Sequence, residues 1–275
     1  MSKIKLVSSD LNGTLVHQHT MSDMIRIYIG EQQYQQANEV FRRQTSGTAT
    51  MEEAFRTAGP LTKGLTLREA IEYTRKHMKY VDGFHEFVNT LTEQGIPLVI
   101  NSTGYSVTIY AIKEQVGAEK VHSHIGNFLR FGMNGDTSKT LDEDELERKV
   151  KDYFSNLESR NDPTYDQIKA TGVIDLGIVD EEAKARLIQE YAKRHFKDIH
   201  PNTIAHMGDS MGDSGGIVGI AEIGGVGIAF NYNGALREFL DQIIRSKKIS
   251  GKIYFVDPKS ESSNLTRVLP ILIGE

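Results

Sequence analysis

The sequence contains no cysteine and only 6 prolines among its 275 residues. Without cysteine the chain has no disulfide, no thiolate metal site and no cysteine nucleophile, which fits a reducing compartment. It also has no run of about 18 apolar residues, the length that a membrane-spanning helix requires. These absences argue against a disulfide scaffold, a thiol enzyme and a membrane-spanning protein.

An excess of positive charge is absent as well. The formal net charge is -5 and the isoelectric point is near 6.0, so the chain lacks the electrostatic footprint of a nucleic-acid-binding protein. A hydrophobic fraction of 39% and a charged fraction of 25% are ordinary for a globular protein with one large domain and a smaller one. Residues 1–5 lead into the first predicted strand without an apolar leader. We therefore expect a cytoplasmic protein with no nucleic-acid or membrane partner.

The first predicted strand ends in a carboxylate that a glycine turn follows. Residues 5–16 read KLVSSDLNGTLV, so a short apolar run delivers Asp10 at the carboxyl end of the strand. Ligands bind at that end of the strands in open α/β sheets. Because aspartate before Gly-Thr is also common in turns, Asp10 alone is compatible with a plain turn. Its interpretation depends on further motifs.

A second apolar strand, residues 96–100, runs towards three hydroxyl and glycine residues, Ser102, Thr103 and Gly104. The apolar spacing of residues 107–114 predicts a helix just after them. A hydroxyl in this position can cap the helix N-terminus, and the same N-terminus can bind a phosphate group. The sequence leaves both roles open for Ser102, and they are compatible.

Further candidate residues lie in the C-terminal half. Residues 203–207 predict a strand, and the sequence GDSMGD that follows carries two carboxylates, Asp209 and Asp213. Upstream, Lys184 lies in the first turn of a helix that is predicted to begin near residue 180. Two other lysines on that helix are alternatives, but position within the helix favours Lys184 over Lys193 and Lys197.

The segment between the first strand and residue 82 has helical spacing over about 65 residues, which is too long for a loop. We therefore expect an inserted helical subdomain at 17–81. Alternating strand and helix patterns elsewhere predict a parallel sheet that helices cover on both faces. Residues 133–170 are less regular and are expected to be an insertion within this core. An amphipathic helix is predicted over 142–157, with an apolar face formed by Leu146, Val150, Phe154 and Leu157.

In this order, the motifs resemble the four motifs of the haloacid dehalogenase (HAD) superfamily. The matching residues are Asp10, Asn12, Gly13 and Thr14 in the first motif, Ser102 in the second, Lys184 in the third, and Gly208, Asp209 and Asp213 in the fourth. The resemblance implies an α/β fold with a Rossmann-like doubly wound parallel sheet formed by 1–16 and 82–275. It also implies that 17–81 is a helical cap, a lid that closes over the substrate and excludes water.

The resemblance further implies a phosphatase that uses Mg²⁺ and acts on a small phosphorylated metabolite. The carboxylates of Asp10 and Asp209 and the backbone carbonyl of Asn12 would hold the metal, while Asp213 would orient a metal-bound water. Asp10 would also be the nucleophile that forms an aspartyl-phosphate.

The remaining motif residues would bind the phosphoryl group. Ser102 would donate a hydrogen bond to a phosphoryl oxygen, with Thr103 and Gly104 beside it. Lys184 would offset the negative charge between the phosphate and Asp10. This role makes Lys184 both a catalytic and a substrate-binding residue.

Asn12 departs from the phosphatase motif, which has a second aspartate here. That aspartate is a general acid and base worth roughly 10² to 10⁴ in rate, whereas an amide cannot transfer a proton. Three interpretations remain open. The protein is a weak phosphatase in which another residue, such as His17 or His19, donates the proton, or it is a binding or regulatory protein that retains the phosphate pocket. The third is that Asn12 is an artificial substitution made to trap a complex. A dehalogenase is disfavoured, because Asp209 and Asp213 have no role in carbon–halogen chemistry.

Within the superfamily the sequence is most similar to phosphoserine-phosphatase-like members, chiefly over 51–104 and from Ala183 onward. Two substrate-reading positions differ. In phosphoserine phosphatases an arginine binds the carboxylate of the substrate serine, and this position corresponds to Ala58, with Arg56 two residues away. The cap glutamate that binds the amino group of the substrate corresponds to His19. Because that cation is missing, we expect phosphate chemistry without selectivity for phosphoserine.

Overall fold

The computed structural model describes residues 3–246, 249–259 and 262–274, and its centre is a seven-stranded sheet. The strands follow the order β4-β3-β2-β1-β5-β6-β7 across the sheet. They are β1 (Leu6–Ser9), β2 (Leu98–Tyr105), β3 (Ser123–Met133), β4 (Ile168–Asp175), β5 (Ile204–Gly208), β6 (Val226–Tyr232) and β7 (Lys252–Pro258).

β1 lies in the middle of the sheet and pairs in parallel with β2 on one side and β5 on the other. Its successive residues Leu6 and Val7 belong to different hydrophobic clusters, because side chains of a strand alternate between the two faces. β6 and β7 continue the parallel arrangement. The predicted α/β fold with a mostly parallel, doubly wound sheet is confirmed, and the carboxyl ends of these strands share one edge.

Four α-helices follow β1 within residues 17–81, which we call the cap, and a 3₁₀ helix (Gly59–Thr62) stands between the third and the fourth. The four α-helices are α1 (Thr20–Tyr28), α2 (Glu31–Thr45), α3 (Met51–Ala58) and α4 (Leu67–His77). α3 and α4 each begin with a capping box, in which Thr50 or Thr66 accepts the backbone N–H of the glutamate three residues later. Threonine and glutamate at this spacing satisfy backbone donors that the first helical turn leaves unpaired.

The remaining α-helices follow the cap in the chain. They are α5 (Phe84–Glu93), α6 (Ser106–Val116), α7 (Glu143–Ser155), α8 (Leu157–Asn161), α9 (Thr164–Gln167), α10 (Ala183–His195), α11 (Ser214–Glu222), α12 (Gly234–Ser246) and α13 (Leu269–Ile273). Within the described ranges, none of the helices has both the length and the apolar character that crossing a bilayer requires.

One edge of the sheet departs from the all-parallel prediction. β4 pairs antiparallel with β3, so that Phe128 lies opposite Asp175 and Met133 lies opposite Ile168. Between these strands the chain forms α7, α8 and α9, which lie against the cap and do not make a crossover over the sheet. The chain therefore re-enters the sheet at the end where β3 leaves it, and an antiparallel pair results.

The segment 133–170, the predicted insertion, connects β3 to β4. The inward face of α7 carries the buried residues Leu146, Val150 and Tyr153. α7 ends at Ser155, so Leu157 begins the separate helix α8 and is 68% exposed. The predicted position of Leu157 on the apolar face is therefore wrong, because the helix does not continue that far.

Polar contacts join this insertion to α4 of the cap. The Tyr153 hydroxyl donates to Glu72 Oε1 at 2.8 Å, and Arg68 Nε donates to Asp166 Oδ1 at 2.7 Å. Arg68 also donates to two backbone carbonyls of the insertion. Because a guanidinium with several acceptors is held in one orientation, these bonds fix α4 on the core beside the carboxyl edge of the sheet.

Candidate active site

Asp10 lies immediately after β1 at the carboxyl edge of the sheet. Its backbone N–H donates to the carbonyl oxygen of Met207 in β5 at 2.9 Å, which fixes the residue beside that strand. The side chain is buried. The topology thus delivers the predicted carboxylate to the point where ligands bind in open α/β sheets.

Two further carboxylates come from the loop after β5. Asp209 follows the strand directly, and a 3₁₀ turn (Met211–Asp213) then folds the chain back. Asp213 Oδ2 accepts the backbone N–H groups of Asp209 and Ser210 at 3.1 and 3.2 Å. As a result, side-chain oxygens of Asp10, Asp209 and Asp213 lie within 4.8 Å of one another.

Two glycines make this close approach possible. A Cβ atom at Gly13, where φ is +82°, would lie 2.3 Å from Oδ2 of Asp209. A Cβ atom at Gly208 would lie 2.1 Å from Cγ of Asp213. Both distances are far shorter than van der Waals contact, so a larger residue at either position would displace a carboxylate.

Lys184 is the second residue of α10, and its side chain is 2% exposed. Its Nζ lies 2.9 Å from Asp10 Oδ1 and 2.5 Å from Asp213 Oδ1. Lys193 and Lys197, the alternatives on this part of the chain, are exposed. Of the three lysines, Lys184 is therefore the one that the structure brings to the carboxylates.

The cluster has more negative than positive charge. Burial and then repulsion by Asp213 raise the pKa of Asp10, although Lys184 and a hydrogen bond from Ser102 act in the opposite direction. Burial and repulsion by the other two acids raise the pKa of Asp209 well above its usual value. Burial opposes the charge of Lys184, but attraction by Asp10 and Asp213 outweighs it and raises the pKa of the ammonium group. Such a buried excess of carboxylate oxygen fits a hard metal cation.

This charge excess predicts that Asp209→Asn stabilises the protein in the absence of divalent cations. Above the usual aspartate pKa of 3.8 the unfolded state loses the proton before the folded state does, so Asp209 lowers stability as the pH rises. We expect Asp209→Asn in EDTA at pH 7 to raise Tm by roughly 2 to 4 °C, which corresponds to about 1 kcal/mol for a large domain. The difference should shrink towards acidic pH.

Thermal unfolding of the parent and Asp209→Asn between pH 5 and 8 measures this effect. Adding a divalent cation should reverse the order of the two proteins, because a ligand that binds only the folded parent stabilises it. Equal Tm values in EDTA across this pH range would contradict the charge excess.

Asn12 joins the core to the cap. Its Oδ1 accepts the backbone N–H of Thr20, the first residue of α1, at 2.8 Å. The amide nitrogen faces β2 and lies 3.6 Å from the position that a Cβ atom at Gly104 would occupy. Since its oxygen is held by the helix, Asn12 can donate a hydrogen bond into the site but cannot donate a proton.

The second motif lies within a strand. β2 continues to Tyr105, so Ser102 lies too far from the first turn of α6 to cap it, and the predicted capping role is wrong. Ser102 Oγ instead accepts the backbone N–H of Gly104 at 3.2 Å, and a hydrogen bond from this hydroxyl lowers the pKa of Asp10. Thr103 lines the cavity described next. Ser102 and Thr103 thus reach the site, whereas the Gly104 N–H points to Ser102.

A cavity of about 180 Å³ lies between the carboxylate cluster and the cap. Asn233 and Lys259, which follow β6 and β7, line it although the motifs do not include them. The rule that ligands bind at the carboxyl ends of parallel strands could have identified both. The other lining residues outside the predicted site have no comparable sequence signal: Gln18, Gln44, Ser210 and Gly212.

His17 and His19 also line the cavity. Burial lowers the pKa of His19 to about 4, so its imidazole is neutral at pH 7 and lacks the proton that a general acid must supply. The ring packs against Phe41, with centroids 4.5 Å apart. His19 is therefore a poor substitute for the missing aspartate, and only the position of His17 keeps it as a candidate.

No protein-family model matches the sequence. Among curated proteins, the chain is similar to a phosphoserine phosphatase from Archaeoglobus fulgidus, with 25% identity over 248 residues. The alignment covers 90% of this chain and 58% of that protein, so the chain spans less than two thirds of the length of this relative.

Solved structures share the fold. The phospho-aspartyl intermediate analogue of a phosphoserine phosphatase superposes with a TM-score of 0.66 at 18% identity, covering 98% of this chain and 100% of that one. A HAD family hydrolase from Salmonella enterica serovar Typhi also gives 0.66, at 15% identity, covering 98% and 71% of the two chains. At these identities the superpositions establish only a shared fold. The alignment to the Archaeoglobus protein shows in addition that the two sequences are similar. The chain therefore has the fold of these hydrolases and is similar in sequence to an archaeal phosphoserine phosphatase.

Proposed function

We propose that this chain is a Mg²⁺-dependent phosphatase that transfers the phosphoryl group of a small phosphomonoester to Asp10 and then to water. The observation that carries the proposal is the buried contact of Lys184 with both Asp10 and Asp213, beside Asp209. A phosphate monoester is anionic, so a carboxylate nucleophile can approach it only where fixed positive charge offsets the repulsion. Similarity to a phosphoserine phosphatase over 90% of the chain supports this reaction class.

Mg²⁺ fits the donor set because it takes oxygen ligands and retains several waters, so that few protein groups suffice. Asp10, Asp209 and the backbone carbonyl of Asn12 would hold the ion, and Asp213 would orient one of its waters. When bound, the ion supplies the positive charge that Lys184 alone does not provide for three carboxylates and a phosphate.

Asp10 acts as the nucleophile in this proposal. Its carboxylate oxygen bonds to phosphorus while the bond from phosphorus to the leaving oxygen breaks, and the electron pair departs on that oxygen as an alkoxide. Lys184 holds the Asp10 carboxylate in position, and the hydroxyls of Ser102 and Thr103 bind phosphoryl oxygens. A water oxygen then bonds to the phosphorus of the aspartyl-phosphate while the bond from phosphorus to the Asp10 oxygen breaks. The proton that this water loses passes to solvent, and inorganic phosphate and the Asp10 carboxylate are released.

Asn12 limits both halves of this reaction. Its amide can donate a hydrogen bond to the leaving oxygen, but it cannot supply the proton that the alkoxide needs or remove one from water. We therefore propose slow turnover, which is fastest for esters whose leaving group departs without a proton.

The surroundings of the cavity support a substrate other than phosphoserine. Ala58 corresponds to the carboxylate-binding arginine, and the neighbouring Arg56 is 76% exposed and pairs with Glu52 at 2.5 Å on the surface of α3. The cap instead lines the cavity with imidazole and amide side chains, those of His17, Gln18, His19 and Gln44. These groups suit a small phosphorylated metabolite with hydrogen-bonding substituents.

Asn12 also favours a second candidate, a protein that binds a phosphorylated metabolite without hydrolysing it. The phosphate-binding groups would be the same, and only the proton transfers would be absent. A panel of small phosphomonoesters, including p-nitrophenyl phosphate, separates the two candidates when it is assayed with Mg²⁺ and with EDTA.

We expect Mg²⁺-dependent release of phosphate that EDTA abolishes. Tight binding of a phosphate ester by calorimetry, together with no turnover in either the parent or Asn12→Asp, would overturn the phosphatase proposal and support the binding protein.

A further inference from the structure

Lys259 lies at the mouth of the cavity and belongs to none of the four motifs. It follows β7 directly, and its backbone N–H donates to the carbonyl of Tyr232 at 2.9 Å. Its Nζ lies 3.6 Å from Asp209 Oδ2, and its side chain is 60% exposed whereas that of Asp209 is 5% exposed. A solvent-accessible ammonium group therefore pairs with a buried carboxylate of the candidate metal site.

The contact of Lys259 with Asp209 has opposite effects on the binding of a metal ion and on the binding of phosphate. Asp10, Asp209 and Asp213, together with Lys184, leave a formal charge of -2, which one divalent cation balances. Lys259 reduces that excess before a metal arrives, so it disfavours metal binding. A phosphate dianion bound beside the metal restores the negative excess, and Lys259 then favours phosphate binding.

The two lysines of the site differ in their freedom to change partners. Two acids hold the buried Lys184. The Nζ of Lys259 is accessible to solvent and lies 3.6 Å from Asp209, and the flexible four-carbon stem of lysine lets Nζ reach another partner. Lys259 can therefore move away from Asp209 when a metal ion binds the Asp209 carboxylate.

We propose that Lys259 couples the two binding events: it pairs with Asp209 before the metal binds and with the phosphate dianion of the substrate afterwards. This inference rests on the proposed function, because it requires that the site binds both Mg²⁺ and a phosphate group. It assigns Lys259 a positioning role that selects for a fully ionised phosphate only after the metal is in place.

Calorimetry on Lys259→Gln tests the proposal without measuring activity. EDTA-stripped protein is titrated with Mg²⁺, and Mg²⁺-saturated protein is then titrated with inorganic phosphate. Compared with the parent, we expect Mg²⁺ to bind about three- to tenfold more tightly and phosphate about three- to tenfold more weakly. Both changes should shrink as ionic strength rises, because salt screens an exposed charge.

Lys252→Gln is the matched control, since Lys252 is an exposed lysine at the opposite end of β7 and the substitution removes the same charge. It should change neither affinity, and Lys259→Arg should keep both near the parent values. Equal affinities in the parent and Lys259→Gln, or a shift of both in the same direction, would overturn the coupling role while leaving the site intact. A parent protein that binds neither Mg²⁺ nor phosphate would overturn the proposed function together with this inference.

Discussion

Replacing Asn12 by aspartate is expected to raise kcat for phosphomonoester hydrolysis by roughly 10² to 10⁴, the usual contribution of a general acid and base. One oxygen of the new carboxyl can keep the 2.8 Å contact with the Thr20 N–H, which leaves the other oxygen facing the cavity. That oxygen can protonate the leaving alkoxide and later accept a proton from water. The gain in the ester-cleavage step should be larger for alkyl esters than for p-nitrophenyl phosphate, whose leaving group needs no proton.

Asn233→Asp is the matched control for this substitution. Asn233 lines the same cavity, and its Oδ1 accepts the backbone N–H of Leu236 at 2.9 Å near the start of α12. The change therefore adds the same charge at another helix start, and we expect no rise in kcat. Steady-state kinetics measure kcat for both variants and for the parent. Equal kcat for the parent and Asn12→Asp with alkyl and aryl esters would contradict the role assigned to position 12.

Asp10→Asn is expected to reduce hydrolysis to the uncatalysed level, a loss of at least about 10⁴ in kcat, because an amide cannot form the aspartyl-phosphate. The loss is best measured in the Asn12→Asp background, where turnover is higher. Thermal unfolding should show that the fold is intact, since the substitution preserves size and removes one charge from a cluster with excess negative charge. The equivalent change at a remote exposed position, Asp198→Asn, should leave kcat unchanged. Substantial turnover by Asp10→Asn would exclude this nucleophile.

Three of the four motif positions could be predicted because strand ends and a helix start locate them, whereas Ser102 lies within β2. Asp10 and Asp209 each follow an apolar strand, and β1 and β5 are neighbours in the sheet. Lys184 lies in the first turn of α10, and its Nζ reaches Asp10 across 174 positions of sequence. Local sequence thus predicts which side chains stand at the carboxyl edge, while the strand order determines how close they come.

Features that depend on tertiary contacts were not predictable in the same way. The antiparallel pairing of β4 accompanies the contact of Arg68 and Glu72 with the insertion, a contact that no local pattern indicates. The first half of β3 has polar and glycine residues, including Ser123 and Gly126, so its sequence lacks the signal of a buried strand. Lys259 follows the last strand, which makes it a candidate by position, but only the sheet order and the cap show that this strand end lies beside the cavity.

The most direct test of the account is detection of a phosphoryl group on Asp10 by rapid quench and peptide mass spectrometry. With p-nitrophenyl phosphate and Mg²⁺, cleavage of the ester needs no proton from position 12, whereas hydrolysis of the aspartyl-phosphate lacks its general base. We therefore predict that the phosphorylated Asp10 peptide accumulates in the parent, is less abundant in Asn12→Asp and is absent from Asp10→Asn. Turnover without this adduct, or a phosphoryl group on another residue such as His17, would contradict the proposed mechanism.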